Sequence, residues 1–362
     1  MNKLIITLLL SWIVFSLGNI VFNPVNQYFN RYFNENVYQN LERLYNNSQY
    51  RQKNPISVIA DEIVFRYAAA AYIRGADPIL INSEHTPLGK YMIGLSFLWF
   101  QNDGVAIVFF AVLSLFTLWL LGKQIFKDTT WALVPVALWV TEPLFQNQLR
   151  VTPLLDIIQL PWILLALYAF IKKRFLLTAI FLGLVAATKS VVPSMLLVFS
   201  FFLFFAFKNK IREFFRFVPW LFISFCILAL SYTRTFLNGY SLWDFLGFQK
   251  WILTYQQSKL IFPFSFWKLM FLNQWQTWWG DMAVHKAEDW FWTWPIIVLV
   301  PFILLIMKRK KFNDGMLVLV LWVFVYEIFL SSGIVVTRFL LPLIPILYIL
   351  SVQFVREIIH RS

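Results

Sequence analysis

Apolar runs long enough to cross a lipid bilayer recur along the whole chain, and short clusters rich in Lys and Arg separate them. A helix needs about 20 mostly apolar residues to cross about 30 Å of hydrocarbon, so each run predicts a spanning helix. About ten spans are expected, near residues 3–22, 103–122, 129–147, 153–171, 175–188, 190–207, 217–233, 294–307, 315–332 and 339–355. The pattern predicts an all-α polytopic membrane protein.

Two long stretches fall outside this pattern, at residues 23–102 and 234–293. They are too polar to cross and too rich in aromatic residues to be simple linkers, so we expect both on the membrane surface. Leu88–Phe100 is apolar but short, which favours an interfacial helix over the alternative of a tilted span. Without a repeat or a soluble domain, residues 1–362 are expected to form one membrane-embedded domain.

The basic residues orient the predicted helices. The formal net charge is +13, but many basic residues lie in short loops such as Lys172–Arg174, Lys208–Arg216 and Lys308–Lys311. The positive-inside rule places these loops and both termini in the cytoplasm, and it explains the charge without nucleic acid as a partner. We therefore expect a multi-pass protein of the cell membrane whose long loops face the extracytoplasmic side.

Ionisable residues at the outer rim of an apolar bundle are costly to keep, so they are candidate functional residues. Asp61 and Glu62 are adjacent carboxylates that open a helical pattern, and the alternative is that they only stabilise its first turn. Residues 84–90 read Glu-His-Thr-Pro-Leu-Gly-Lys, which by itself predicts only the start of a helix.

Further candidates follow along the chain. Arg150 and Asp156 flank the outer end of one span, where an interfacial ion pair is the alternative. Lys189 interrupts two apolar spans and needs either an anion or a snorkelling route to water. The second long stretch, residues 234–293, is called the second outer segment. It and the start of the next span contain many tryptophans, which form either an aromatic belt or a platform for sugar rings. They are Trp275, Trp278, Trp279, Trp290, Trp292 and Trp294, around Asp281, His285 and Asp289.

In chain order, these motifs resemble those of the GT-C glycosyltransferases of the protein O-mannosyltransferase type and its bacterial relatives, the aminoarabinose transferases. The family's Asp-Glu pair and its His-Pro-Pro-Leu-Gly-Lys match residues 61–62 and 85–90. Its Arg before Leu-Asp matches Arg150 with residues 155–156, and its Gly-Leu-Ala with Thr-Lys matches residues 183–189.

The resemblance continues to the C-terminal part. A His followed nine residues later by Trp-Pro appears as His285 with Trp294, and residues 337–345 are similar to the family's Leu-Pro-x-x-Pro motif. Thr86 replaces the first proline, and Asp289 stands where a small residue is common. These departures leave the acceptor open.

The resemblance implies inverting transfer of a sugar from a polyprenyl-phosphate donor to an acceptor hydroxyl on a protein, lipid or glycan. Because phosphate is already a good leaving group, such a site needs one base and cationic groups for the phosphate. Asp61 is the candidate base, and Glu62 and Asp156 are further catalytic candidates. The candidate substrate-binding residues are His85, Lys90, Arg150, Lys189, His285, Trp294 and Arg338.

Other functions and a metal cofactor stay open. Carboxylate and imidazole groups suit divalent metals, so Glu62, Glu84 and His85 are candidate ligands, although their spacing has no defined metal signature. A polysaccharide polymerase and a lipid or sugar flippase are the alternative functions. A flippase should place ionisable residues near mid-membrane, whereas these gather at one predicted face.

Overall fold

The chain is almost entirely helical in the computed structural model, which describes residues 2–23, 26–257, 262–277, 282–307 and 312–359. The predicted all-α membrane fold is confirmed. Many helices are apolar around their circumference, as expected where lipid is the solvent and each helix satisfies its own backbone groups. The basic loop Lys308–Lys311 lies outside the described residues.

Ten of the described helices lie largely in the predicted spans. They are Asn2–Phe22, Gly104–Phe126, Thr129–Val140, Leu155–Ile171, Phe175–Thr188, Val191–Phe207, Leu221–Leu230, Val300–Met307, Asp314–Ser331 and Ile344–Ile359. The other helices are Asn26–Phe29, Glu35–Asn46, Asp61–Ile73, Leu88–Phe100, Pro143–Arg150, Ile211–Phe217, Thr233–Leu237, Leu242–Gln257, Ser265–Leu272 and Trp294–Ile297. Val218–Trp220 and Thr337–Leu340 form 3-10 turns, and the strands Trp275–Gln276 and Val284–His285 form an antiparallel hairpin.

Within the described part of the chain, four helices are long and apolar enough to cross a membrane alone: Lys3–Phe22, Gly104–Phe126, Ile211–Leu230 and Asp314–Ser331. Six other apolar helices have 10–17 residues. Leu88–Phe100 is one of them, and its 13 residues extend only about 20 Å at 1.5 Å per residue. The number of ten membrane crossings therefore remains a prediction.

Several predicted span boundaries are wrong; for example, the span expected over 217–233 covers Ile211–Leu230. Two of the differences bear on the site. The helix expected over 129–147 ends at Val140, because Pro143 occupies the first turn of a new helix, Pro143–Arg150. The span expected over 339–355 is preceded by the turn Thr337–Leu340, and its helix begins at Ile344. Both breaks place a charged side chain, Arg150 or Arg338, in a short segment at the end of the bundle rather than inside a long helix.

The core is centred on the helix Leu155–Ile171, which is buried on nearly every side. It packs between Gly104–Phe126 and Phe175–Thr188. Near its end, the ring of Phe170 stacks on the ring of Phe201 with the centroids 3.8 Å apart. A second, smaller apolar cluster joins the helices Glu35–Asn46 and Asp61–Ile73 of the first outer segment. This segment is therefore a folded layer that holds Asp61 in a defined place.

Candidate active site

Asp61 is held by two residues from distant parts of the chain. Its Oδ2 atom lies 2.5 Å from Nη2 of Arg338, and the Tyr50 hydroxyl donates a hydrogen bond to its Oδ1 atom at 3.0 Å. The N-cap position of the helix is Ala60, and no side chain makes a cap hydrogen bond there. The carboxylate therefore has partners that helix capping does not explain.

Asp156 forms a buried ion pair with Lys189. Lys189 follows the helix Phe175–Thr188, which packs beside Leu155–Ile171, so the ammonium reaches the first turn of the neighbouring helix. The alternative of an ion pair between Asp156 and Arg150 is therefore not observed. Arg150 ends a separate helix, and the chain turns through residues 151–154 before Asp156.

These two ion pairs meet at one aromatic ring. The Lys189 ammonium lies 5.0 Å from the centroid of the Phe339 ring, and the guanidinium carbon of Arg338 lies 5.7 Å from the same centroid. Two cations on one ring suit a site that attracts an anion. The structure thus brings together four of the predicted residues, Asp61, Asp156, Lys189 and Arg338. A fifth, His85, joins this cluster, because its imidazole is near the charges of Lys189, Asp61 and Arg338.

Three buried polar atoms in this cluster have no hydrogen-bond partner within the described part of the chain. They are Nε of Arg338, Oδ2 of Asp156 and Nδ1 of His85. A buried donor or acceptor without a partner costs about 1–3 kcal/mol, so such atoms are rare in a settled core. Their presence in one cluster is typical of a site that a ligand completes.

The loop at residues 82–90 is attached directly to the backbone around Lys189. The Thr86 amide donates to the Lys189 carbonyl at 3.1 Å, and its hydroxyl donates to the Ala186 carbonyl at 2.8 Å. A Cβ atom on Gly89 would lie 2.6 Å from the Thr188 carbonyl oxygen, so only glycine allows this approach. The motifs at residues 85–90 and 183–189 therefore pack directly against each other.

The ammonium group of Lys90 is fully used in hydrogen bonds within its own segment. It is fully buried and donates to the carbonyls of Asn82 and His85, both at 2.8 Å, and to the Asn82 side chain at 3.2 Å. These bonds account for the three ammonium hydrogens. The arrangement differs from the predicted substrate contact, because Lys90 holds the loop that carries His85.

His85 packs edge-on against Phe65, with the ring centroids 5.5 Å apart. Burial lowers the pKa of His85 well below its usual range, and the positive charges of Lys189 and Lys90 lower this pKa further. The imidazole is therefore neutral at pH 7 and offers one donor and one acceptor.

The pKa of Asp61 is set by opposing influences. Burial raises it, but the Arg338 charge and the hydrogen bonds from Arg338 and Tyr50 outweigh burial and lower this pKa to about 2. Asp61 is therefore ionised throughout the physiological range. While Arg338 stays paired with it, the carboxylate is a weak base.

A polar cleft of about 520 Å³ is lined in part by a residue next in the chain to this cluster, and the cluster residues themselves do not line it. Glu62, the neighbour of Asp61, lines it together with Arg66, Asp103 and Arg150. Arg66 Nε lies 2.9 Å from Asp103 Oδ2, and an Arg66 amino group donates to the Thr152 carbonyl at 2.7 Å. Within the described residues, the Arg150 guanidinium makes no hydrogen bond or ion pair, so it is available to a ligand.

The second outer segment contributes a positioning residue, Asp289. Oδ2 of Asp289 accepts hydrogen bonds from Asn147 at 2.8 Å and from the Thr337 hydroxyl at 3.0 Å. It thereby joins the helix that ends at Arg150 to the turn that contains Arg338.

Two residues expected to bind substrate lie apart from the two ion pairs. His285 is exposed and lies against Trp275, with ring centroids 5.2 Å apart. Trp294 is fully buried, and its indole N–H donates to Glu142 at 2.6 Å, so its role in the structure is packing. Trp278, Trp279 and Asp281 lie outside the described residues.

The candidate metal ligands are not brought together. Over the described ranges, no group of three or more His, Cys, Asp and Glu side chains is arranged to hold a metal ion. Glu62 faces the polar cleft, whereas Glu84 interacts with Tyr255. We therefore derive no step through a metal at Glu62, Glu84 and His85.

Several site residues were missed in the sequence. Arg66 and Asp103 are ionisable residues at the rim of the bundle and could have been flagged by the same argument as Arg150. Tyr50 and Phe339 carry no such signal, because an aromatic residue at a membrane surface is ordinary. Only the fold brings Tyr50 to Asp61 and Phe339 to Lys189.

This arrangement belongs to a known class of membrane fold. The chain has the GT-C-type fold of the protein mannosyltransferases and aminoarabinose transferases, which confirms the resemblance of the motifs. Residues 84–234 match a family model described as dolichyl-phosphate-mannose-protein mannosyltransferase. That range contains the loop at 84–90, Arg150, Asp156 and Lys189. A comparison with curated protein sequences found no significant match.

Two solved structures illustrate the likeness. ArnT from Cupriavidus metallidurans in the apo state superposes with a TM-score of 0.57 at 13% identity, over 83% of this chain and 55% of that one. ArnT from the same organism bound to undecaprenyl phosphate gives a TM-score of 0.52 at 14% identity, over 83% and 56%. The chain spans about half the length of these structures.

Proposed function

We propose that this protein transfers a sugar from a polyprenyl-phosphate carrier to an acceptor hydroxyl, with inversion at the anomeric carbon. The observation that carries the proposal is that two cations, Lys189 and Arg338, lie at the ring of Phe339. Next to them are buried polar atoms that have no hydrogen-bond partner in the described part of the chain. The family model over residues 84–234 and the ArnT structure with undecaprenyl phosphate support the choice of carrier.

The carrier phosphate would bind at Lys189 and Arg338. Lys189 uses one of its three ammonium hydrogens to donate a hydrogen bond to Asp156, so two remain for a ligand. Nε of Arg338 is a buried donor without a partner in the described residues. A phosphate oxygen at this place would satisfy that donor and take negative charge next to two cations. Charge that develops on the leaving phosphate is then stabilised by groups already in position.

Asp61 would act as the base when the donor is bound. A phosphate that interacts with Arg338 weakens the ion pair to Asp61, and the pKa of the carboxylate then rises because burial is less opposed. The carboxylate takes the acceptor's hydroxyl proton while the new C–O bond forms. The bond from the anomeric carbon to the phosphate oxygen breaks, and polyprenyl phosphate leaves with the electron pair.

We place the acceptor in the polar cleft lined by Glu62, the chain neighbour of Asp61. Its lining includes Gln27, Asn30 and Tyr32 as well as charged groups, which suits a hydroxyl-rich molecule. Glu62 and Arg150 would contact the acceptor there. This assigns Arg150 to the acceptor rather than to the carrier phosphate, because it lines the cleft and is not paired with Asp156.

The orientation in the membrane is part of the proposal. Asp103 and Asp156 stand at the beginnings of two core helices, and both lie at the candidate site. Lys123 and Lys172 are at the far ends of the same helices. The positive-inside rule would put the lysines in the cytoplasm and the site on the extracytoplasmic side. Labelling of single cysteines at positions 61 and 173 from the same side would contradict this orientation.

The direct test is transfer itself. Purified protein is incubated with a panel of polyprenyl-phosphate sugars and a hydroxyl acceptor, and released polyprenyl phosphate and glycosylated product are measured. The proposal expects both products in equal amounts from the parent protein. Movement of the intact carrier across vesicles without release would favour a flippase, and chain extension of a glycan would favour a polymerase.

A further inference from the structure

A second cavity, of about 420 Å³, lies at the opposite end of the core helices. Trp119, Lys123 and Lys127 line it from the end of the helix Gly104–Phe126, and Tyr168 and Lys172 line it from the end of Leu155–Ile171. Leu120 and Gln124 complete the lining. The proposed transfer reaction uses none of these residues.

The cavity is positive and has aromatic walls. The Lys123 ammonium lies 5.0 Å from the ring centroid of Trp119, and the Lys172 ammonium lies 6.0 Å from that of Tyr168. No carboxylate lines the cavity, and no ion pair is recorded for its three lysines within the described residues. Favourable contacts with helix C-termini account for lysines at these positions, but not for a cavity of this size between them.

Trp119 adds an unsatisfied donor. Its Nε1 atom is buried and has no hydrogen-bond acceptor within the described part of the chain. An indole N–H is a donor only, so the missing partner is an acceptor. Three ammonium groups and one N–H donor around a small cavity are the complement of a group with several anionic oxygens, such as a phosphate.

The position of the cavity indicates where that phosphate comes from. The helix Gly104–Phe126 begins next to Asp103 of the candidate site and has 23 residues, which extend about 35 Å at 1.5 Å per residue. This is the thickness of a hydrocarbon layer, so the cavity lies near the other lipid–water boundary. Tryptophan and tyrosine at such a boundary sit at the level of lipid headgroups.

We infer that this cavity binds the phosphate group of an anionic phospholipid in the leaflet opposite the candidate active site. Basic cavities between membrane helices on this side are suited to acidic headgroups. A bound headgroup would join the ends of two helices whose other ends position Asp103 and Asp156. The inference does not depend on the transfer reaction, because lipid binding is measured without donor or acceptor.

The test compares lipid retention in matched variants. The parent, Lys123→Gln/Lys172→Gln and the control Lys173→Gln/Arg174→Gln are purified in detergent and titrated with phosphatidylglycerol, phosphatidylcholine or inorganic phosphate. Bound lipid is counted by native mass spectrometry. Both double variants remove two positive charges, but Lys173 and Arg174 do not line the cavity.

We expect the parent and the control to retain phosphatidylglycerol over phosphatidylcholine, and the cavity variant to bind it about tenfold more weakly. Trp119→Phe keeps an aromatic ring but removes the N–H, and it should also weaken binding, about threefold. Equal retention in the two double variants would overturn the inference. Full competition by millimolar inorganic phosphate would overturn the lipid as the source.

Discussion

The guanidinium of Arg338 lies 2.5 Å from the carboxylate of Asp61, although 277 positions separate the two residues in the chain. This contact links the proposed base to one of the two proposed phosphate-binding cations. In the proposed mechanism, the group that accepts the proton is held by a group that binds the donor. Binding of the donor and activation of the base would then be coupled by this pair.

Replacement of Asp61 by Asn should separate catalysis from structure. An amide does not accept a proton at neutral pH, so turnover should fall by about 10²–10⁴. Donor affinity should change little, because the expected phosphate contacts are made by Lys189 and Arg338. Turnover and donor affinity are measured on the same folded protein. Asp244→Asn is the matched control, because Asp244 is an exposed carboxylate in the first turn of another helix and accepts hydrogen bonds from Ser241. Turnover within threefold of the parent in Asp61→Asn would move the base elsewhere.

Replacement of Arg338 by Gln should change the pH dependence. Burial raises the pKa of Asp61 and the Arg338 charge opposes it, so loss of the charge should move this pKa from about 2 upward. The lowered pKa of Asp61 in the parent stabilises the folded state above the ordinary carboxyl range, and this stabilisation is lost as pH falls through about 2. The variant lacks the stabilisation that the Arg338 charge provides. The acid limb of kcat/KM should therefore shift to higher pH.

The control for this experiment is Arg74→Gln. Arg74 forms an exposed ion pair with Glu35 at 2.8 Å in the same outer layer, and its loss leaves Asp61 untouched. We expect the acid limb of this control to match the parent. An unchanged acid limb in Arg338→Gln would mean that Asp61 is not the group that titrates in the reaction.

The buried pair of Asp156 and Lys189 predicts a non-additive stability change. Lys189→Met alone leaves a buried carboxylate without its cation and should cost about 3–5 kcal/mol. Adding Asp156→Asn removes that charge and should recover much of the loss. Donor affinity should stay at least tenfold weaker in both variants, because the phosphate cation is absent. Equilibrium unfolding in mixed micelles and donor titration measure the two effects, and additive losses would refute the ion-pair explanation.

Gly89→Ala tests the contact between the two central motifs. The new Cβ would lie 2.6 Å from the Thr188 carbonyl oxygen and 2.9 Å from Cδ2 of Leu155, so the backbone before Lys189 must move. We expect a stability loss of about 1–3 kcal/mol together with weaker donor binding. Gly247→Ala is the control, because nothing lies within 4 Å of a Cβ there. That change should stabilise its helix by up to about 1 kcal/mol. Equal effects of both changes would contradict the contact.

The pattern of apolar runs determined the fold class, because uninterrupted apolar runs of about 20 residues cross lipid as helices. Composition and motif order also determined most of the candidate residues, including Asp61, Asp156, Lys189 and Arg338. The sequence did not decide their partners. Asp156 pairs with Lys189 and not with Arg150, Lys90 holds a loop, and Trp294 is buried beside Glu142. These contacts depend on where helices from distant parts of the chain end relative to one another. Helix ends and crossing geometry are set by packing over the whole bundle, which local spacing does not encode.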